Sequence, residues 1–100
     1  MRGDEAVRIL MVEDEAPIRE GVCDYLSECD YEMIAASDGQ EAIDLFDSNE
    51  VHLVLLDIQL PKKNGLEVLE YIRRKSSIPA LMLTAFSDEE YQLKAFSQLA

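Results

Sequence analysis

One hundred residues make one domain, too short for two cores, and four Gly with three Pro exclude a fibrous or linker-rich chain. Twenty-one acids against nine bases give a net charge of -12, a field that repels phosphodiester backbones and anionic lipid heads and draws in divalent cations. Direct nucleic-acid binding and membrane association are therefore not expected. Met1 to Ala6 is too short and too acidic for a signal peptide, and no apolar run approaches the roughly 18 residues that cross a bilayer, so a cytoplasmic location is expected.

Along the chain, apolar runs alternate with amphipathic stretches in a βαβαβαβ rhythm. Val7 to Val12 is a near-continuous apolar run, as in a strand buried on both faces of a parallel sheet. Pro17 suits a first helical turn, and Ile18, Val22, Tyr25, Leu26 and Cys29 follow as one apolar stripe. Cys23 and Cys29 lie in this helix on different faces, with no CxxC spacing, and read as reduced packing residues. Glu32 to Ala36 is a shorter strand candidate. Asp38 with Glu41 has capping-box spacing ahead of Ala42, Leu45 and Phe46. Val51 to Leu56 is the next buried strand, and its His52 reads as a packed or exposed histidine rather than a catalytic one. Asn64 precedes a helix that ends in Arg73, Arg74 and Lys75, where the helix dipole favours cations. Pro79 opens a strand at Ala80 to Ala85, and Ser87 with Glu90 forms a further capping box.

Strands alternating with single helices imply right-handed crossovers and an open doubly wound α/β sheet, with sites at the carboxyl ends of its strands. Acids and a hydroxyl collect there: Glu13 and Asp14 after Val12, Asp57 after Leu56, Thr84 after Leu83. If the first and third strands are neighbours, three carboxylates share one small space. Their mutual repulsion calls for a hard divalent cation, and Mg²⁺ takes such oxygen ligands together with a phosphate. A carboxylate beside that ion is also a nucleophile toward phosphorus, and Asp57 is best placed for it, on a rigid strand. Gln59 offers a backbone carbonyl to the ion, and Thr84 a hydroxyl to a phosphoryl oxygen. The plainer alternative for Glu13 and Asp14 is a solvated loop that complements a helix dipole, and for Asp57 a strand-ending cap. Their coincidence favours a site.

The segments ILMVEDE at Ile9 to Glu15, LLDIQLPKKNG at Leu55 to Gly65 and PALMLTA at Pro79 to Ala85 resemble the three signature segments of the receiver domain of two-component response regulators. The resemblance runs from about Arg8 to Ala100. It implies a flavodoxin-like sheet in the order 2-1-3-4, with Asp57 as phosphoacceptor, Asp14 and Asp57 as direct Mg²⁺ ligands, Glu13 acting through water, and Gln59 lending its carbonyl. By the same resemblance Thr84 is the switch hydroxyl and Ala85 the small residue beside it. Most family members carry Asp at the position of Glu13. Receiver domains also continue with a fifth strand, a phosphoryl-contacting lysine, a switching aromatic and a fifth helix, so residues 1–100 are expected to be a single receiver domain truncated before those elements.

MLTAFSDEEYQLKAF, starting at Met82, is most similar to receivers of winged-helix transcription regulators. The expected partners are a sensor histidine kinase and a second receiver, the latter by edge pairing or element swapping at the fourth strand. A rival from the enzyme class is a Mg²⁺-dependent aspartyl phosphohydrolase. Such enzymes place a second Asp two residues after the nucleophile, where this chain has Gln59. A third reading is an interaction fragment that keeps the fold without the phosphotransfer.

Overall fold

A computed structural model of the chain describes residues 6–57 and 64–83. Among these residues the elements are β1 (Arg8–Val12), α1 (Ala16–Glu28), β2 (Glu32–Ala36), α2 (Gly39–Ser48), β3 (Leu53–Asp57), α3 (Gly65–Lys75) and β4 (Ala80–Leu83). The strands pair in parallel in the order β2-β1-β3-β4, the flavodoxin-like arrangement. β1 lies between β2 and β3, so the direction of strand addition reverses around it.

The strands are apolar at successive positions because helices cover both faces of the sheet. Leu10 and Val12 of β1, Val54 and Leu56 of β3 and Ala80 of β4 face the helices α2 and α3, against Ala42, Val68, Leu69 and Ile72. The alternate positions Ile9, Met11 and Leu55 face α1 through Val22, Cys23 and Leu26. This period-two division of one continuous apolar run is what burial on both faces requires.

The strand ends differ from the sequence reading by one or two residues. β1 begins at Arg8 rather than Val7, and β3 runs from Leu53 through Asp57 rather than from Val51 to Leu56. Val51 is buried but precedes the ladder. His52 joins β1 in an unusual way: its N–H donates to the Arg8 carbonyl (2.9 Å), and its Nδ1 accepts the Arg8 N–H (2.9 Å). The imidazole thus occupies the place of a backbone carbonyl. Its side chain is exposed, as the sequence allowed, with Nε2 3.7 Å from Glu50.

Helix α1 corrects the expected stripe. Ile18 and Tyr25 are exposed, at 43% and 69%, and the contact with the sheet runs through Val22, Cys23 and Leu26. At about 100° per residue, the contacting face is turned by roughly 60° from the centre of the expected stripe. Cys29 is likewise not a packing residue: it is the exposed C-cap, while Cys23 is half-buried and packed. Both thiols are free, and burial pushes the Cys23 thiol up, away from the reactive thiolate. The helix ends without glycine. Tyr31 N–H donates to the Leu26 carbonyl and Asp30 N–H to that of Ser27, a Schellman closure with Asp30 at φ 74°.

The other two helix starts follow their caps. Asp38 accepts the Glu41 N–H (2.8 Å), but the Glu41 carboxylate turns to Ser37, where both the N–H (2.8 Å) and the hydroxyl (2.9 Å) donate to it. The reciprocal box expected at Asp38 is therefore shifted one residue upstream on its return arm. At Asn64 the box is complete, with Glu67 N–H donating to the Asn64 side chain (3.0 Å) and Asn64 N–H to Glu67 (3.1 Å). Asn64→Ala should lower stability by about 1 kcal/mol in urea unfolding. An unchanged midpoint would mean that packing of Val68, Leu69 and Ile72 alone holds this end of α3. The capping box expected at Ser87 and Glu90 lies outside the described residues.

Among the described residues, no helix is long and apolar enough to cross a membrane.

Candidate functional site

The carboxyl ends of β1 and β3 adjoin because Val12 pairs with Leu56, which brings Glu13 and Asp14 beside Asp57. One carboxylate oxygen from each of Glu13, Asp14 and Asp57 lies within 4.8 Å of the others. The three differ in access: Glu13 is buried at 5% exposure, Asp57 is intermediate and Asp14 is open to solvent. The cluster therefore has a closed floor and an open mouth.

Backbone bonds fix the loop that carries two of these acids. Glu13 N–H donates to the Ala36 carbonyl of β2 (3.0 Å), extending the ladder one residue past the strand. Glu15 N–H closes back onto Glu13 Oε2 (3.1 Å). Arg19, one turn into α1, donates from Nη1 to the Glu13 carbonyl oxygen (2.8 Å). Sequence reasoning missed Arg19. The signal was present in its position on the same face of α1 as Val22, Cys23 and Leu26, the face that meets the sheet.

The electrostatics of the cluster are those of crowded like charges. Glu13 is pushed up to about 7 from the ordinary 4.5, first by burial; the bond from Glu15 N–H acts in the opposite direction, and the charge of Asp57 and contacts with Asp14 and Asp57 add to the rise. A buried acid that resists ionisation beside two others is a set of hard oxygen donors without sufficient positive charge. Its chemistry fits a divalent cation with oxygen preference such as Mg²⁺. The structure thus brings together three of the expected residues. Gln59, Thr84 and Ala85 lie outside the described residues.

A 2-1-3-4 parallel sheet with an acidic cluster at its switch point is the arrangement of receiver domains. The family described as the response regulator receiver domain matches residues 9–100. This chain belongs to that family. It is 42% identical over 94 residues to response regulator RR06 of Streptococcus pneumoniae serotype 2, covering 94% of this chain and 43% of the relative. It is 46% identical over 91 residues to the regulatory protein VanRB of Enterococcus faecalis, covering 91% and 41%. The chain therefore spans less than half the length of these curated relatives. Among solved structures it resembles the response regulator TrrA of Thermotoga maritima in complex with Mg²⁺-BeF, with 40% identity, a TM-score of 0.82, and coverage of 91% of this chain and 80% of that one. It also resembles the chemotaxis response regulator CheY4 of Vibrio cholerae, with 28% identity, a TM-score of 0.86, and coverage of 95% and 82%.

Proposed function

We propose that this domain accepts a phosphoryl group on Asp57 from a phosphohistidine of a sensor histidine kinase, in a Mg²⁺-dependent relay that operates in the cytoplasm. The observation that carries the reading is the convergence of Glu13, Asp14 and Asp57 within 4.8 Å at the switch point of the sheet. A carboxylate oxygen of Asp57 attacks phosphorus and forms the new P–O bond. The P–N bond of the donor breaks, and the imidazole nitrogen keeps the electron pair and takes up a proton, leaving an acyl phosphate on Asp57.

Asp14 and Asp57 are the direct ligands proposed for Mg²⁺, with Glu13 acting through water and the Gln59 carbonyl completing the protein's share. Bound there, the ion supplies positive charge for the phosphoryl oxygens and relieves the repulsion among the carboxylates. In the same reading, the Thr84 hydroxyl engages a phosphoryl oxygen, Ala85 leaves room for that movement, and the shift is passed on to a second receiver. Relatives named as transcriptional regulators, ycf27 of Porphyridium aerugineum and YcbL of Bacillus subtilis, support a role in transcription control, which in this reading works through a DNA-binding region outside residues 1–100.

The test is direct. With Mg²⁺ and a small phosphodonor such as acetyl phosphate, the chain gains the mass of one phosphoryl group, and hydroxylamine, which cleaves acyl phosphates, removes it. Failure to gain that mass, with Mg²⁺ binding intact, overturns the phosphoacceptor reading. Sustained phosphate release from a simple phosphate ester would favour the phosphohydrolase instead.

A further inference from the structure

The β1–α1 loop places two acids of the cluster, yet its residues 13–15 form no regular element of their own. What holds it is a short set of bonds: the Glu13 N–H on β2, the Glu15 N–H on the Glu13 carboxylate, and the Arg19 guanidinium on the Glu13 carbonyl. The last is the one tie from a side chain in α1 to this stretch of backbone among the bonds just described. The Glu13 carbonyl belongs to the peptide that joins Glu13 to Asp14. Because that peptide is planar, fixing its oxygen also fixes the direction in which the Asp14 Cα, the root of its carboxylate, leaves the strand. Arg19 is half-buried, on the face of α1 that carries Val22, Cys23 and Leu26, and its Nη1 lies 2.8 Å from the carbonyl.

From this geometry we propose that Arg19 is a positioning residue, which holds the Glu13–Asp14 peptide so that both carboxylates converge on Asp57 before a cation arrives. The inference rests on the Mg²⁺ reading above. It makes a prediction opposite in sign to simple electrostatics. Arg19 is a positive charge near a cation site, so its Coulombic effect alone opposes Mg²⁺, and neutralising it would tighten binding. As a positioning residue its loss loosens binding instead.

The experiment titrates Mg²⁺ calorimetrically into the wild-type chain, Arg19→Gln and Arg19→Lys, and follows amide hydrogen exchange at Asp14 and Glu15 in the metal-free proteins. Arg19→Gln should weaken Mg²⁺ by about fivefold to tenfold, the worth of one net hydrogen bond, and speed exchange of the Glu15 amide. Arg19→Lys keeps the charge and one donor, and recovers affinity and protection. Unchanged or tighter Mg²⁺ binding by Arg19→Gln, with unchanged exchange, overturns the positioning role. If the wild-type chain binds no Mg²⁺, the metal reading fails, and the exchange measurement still decides whether Arg19 orders the loop.

Discussion

On the proposed function, Asp57→Asn is expected to abolish phosphoryl labelling and to leave a more stable metal-free protein. The carboxamide lacks the anionic oxygen that attacks phosphorus, and it removes one of the three carboxylates that meet within 4.8 Å. Phosphotransfer therefore falls to background rather than by a modest factor. The stability gain follows from Glu13, whose raised proton affinity owes part of its rise to the charge of Asp57. Intact-mass measurement after acetyl phosphate treatment reads the first effect, and urea unfolding in a chelating buffer reads the second. Retained labelling would place the phosphoacceptor elsewhere. A lowered unfolding midpoint would mean that Asp57 contributes more to the fold through its other contacts than its charge removes.

Glu13→Gln should stabilise the metal-free chain above pH 7 by roughly 1–3 kcal/mol. The rise from 4.5 to about 7 in the folded state, at about 1.4 kcal/mol for each tenfold change in proton affinity, sets a ceiling just above that range, and screening by water at the open mouth of the cluster brings the effect inside it. Because the folded-state value lies above the unfolded one, the folded chain holds more protons between these two values. Stability therefore declines as pH rises through that window and levels off above about 7. Gln stays neutral throughout, so the advantage of the variant is absent below pH 4.5, grows across the window and is complete at pH 8. Mg²⁺ should narrow the difference, because on the proposed ligand set the wild type gains about 2.7 kcal/mol at a hundredfold excess over its dissociation constant, whereas the variant, which keeps Asp14 and Asp57 but lacks the Glu13 charge, gains less. Urea midpoints at pH 4, 6 and 8, with chelator or Mg²⁺, test all of this. A wild type that gains stability relative to Gln on going from pH 4 to pH 8 without metal would refute it.

The sheet was legible because its strands are buried on both faces, and that condition writes itself into a sequence as an uninterrupted apolar run. β2 was correctly bounded at Glu32–Ala36 although it is an outer strand with exposed Glu32 and Ala35, since Met33 to Ala36 is a short apolar run between polar Glu32 and Ser37. The convergence of Glu13, Asp14 and Asp57 was legible for a topological reason, because acids that follow neighbouring parallel strands share one edge. Helix α1 was read less well. Periodicity tells which side chains share a face, and the side that docks depends on the layer beneath it. Ile9, Met11 and Leu55 receive Val22, Cys23 and Leu26, which leaves Ile18 and Tyr25 in solvent. Turning the helix to that orientation also brings Arg19 over the site loop, so one misjudged rotation hid both features. The shifted return arm at Ser37 was missed for a more local reason: spacing gives a cap's candidates, but a carboxylate goes where two donors meet it.

His52 is the sole histidine in these 100 residues, and its Nδ1 already serves as an acceptor for the first N–H of β1. It precedes β3 and Asp57 closes it, five residues apart, about 16 Å along an extended strand. An imidazole tied into the opposite end of the sheet cannot relay a phosphoryl group to Asp57 within the chain. Any phosphohistidine that serves this aspartate therefore belongs to another molecule or another domain, and an acid-labile label found on His52 itself would be a dead end rather than an intermediate.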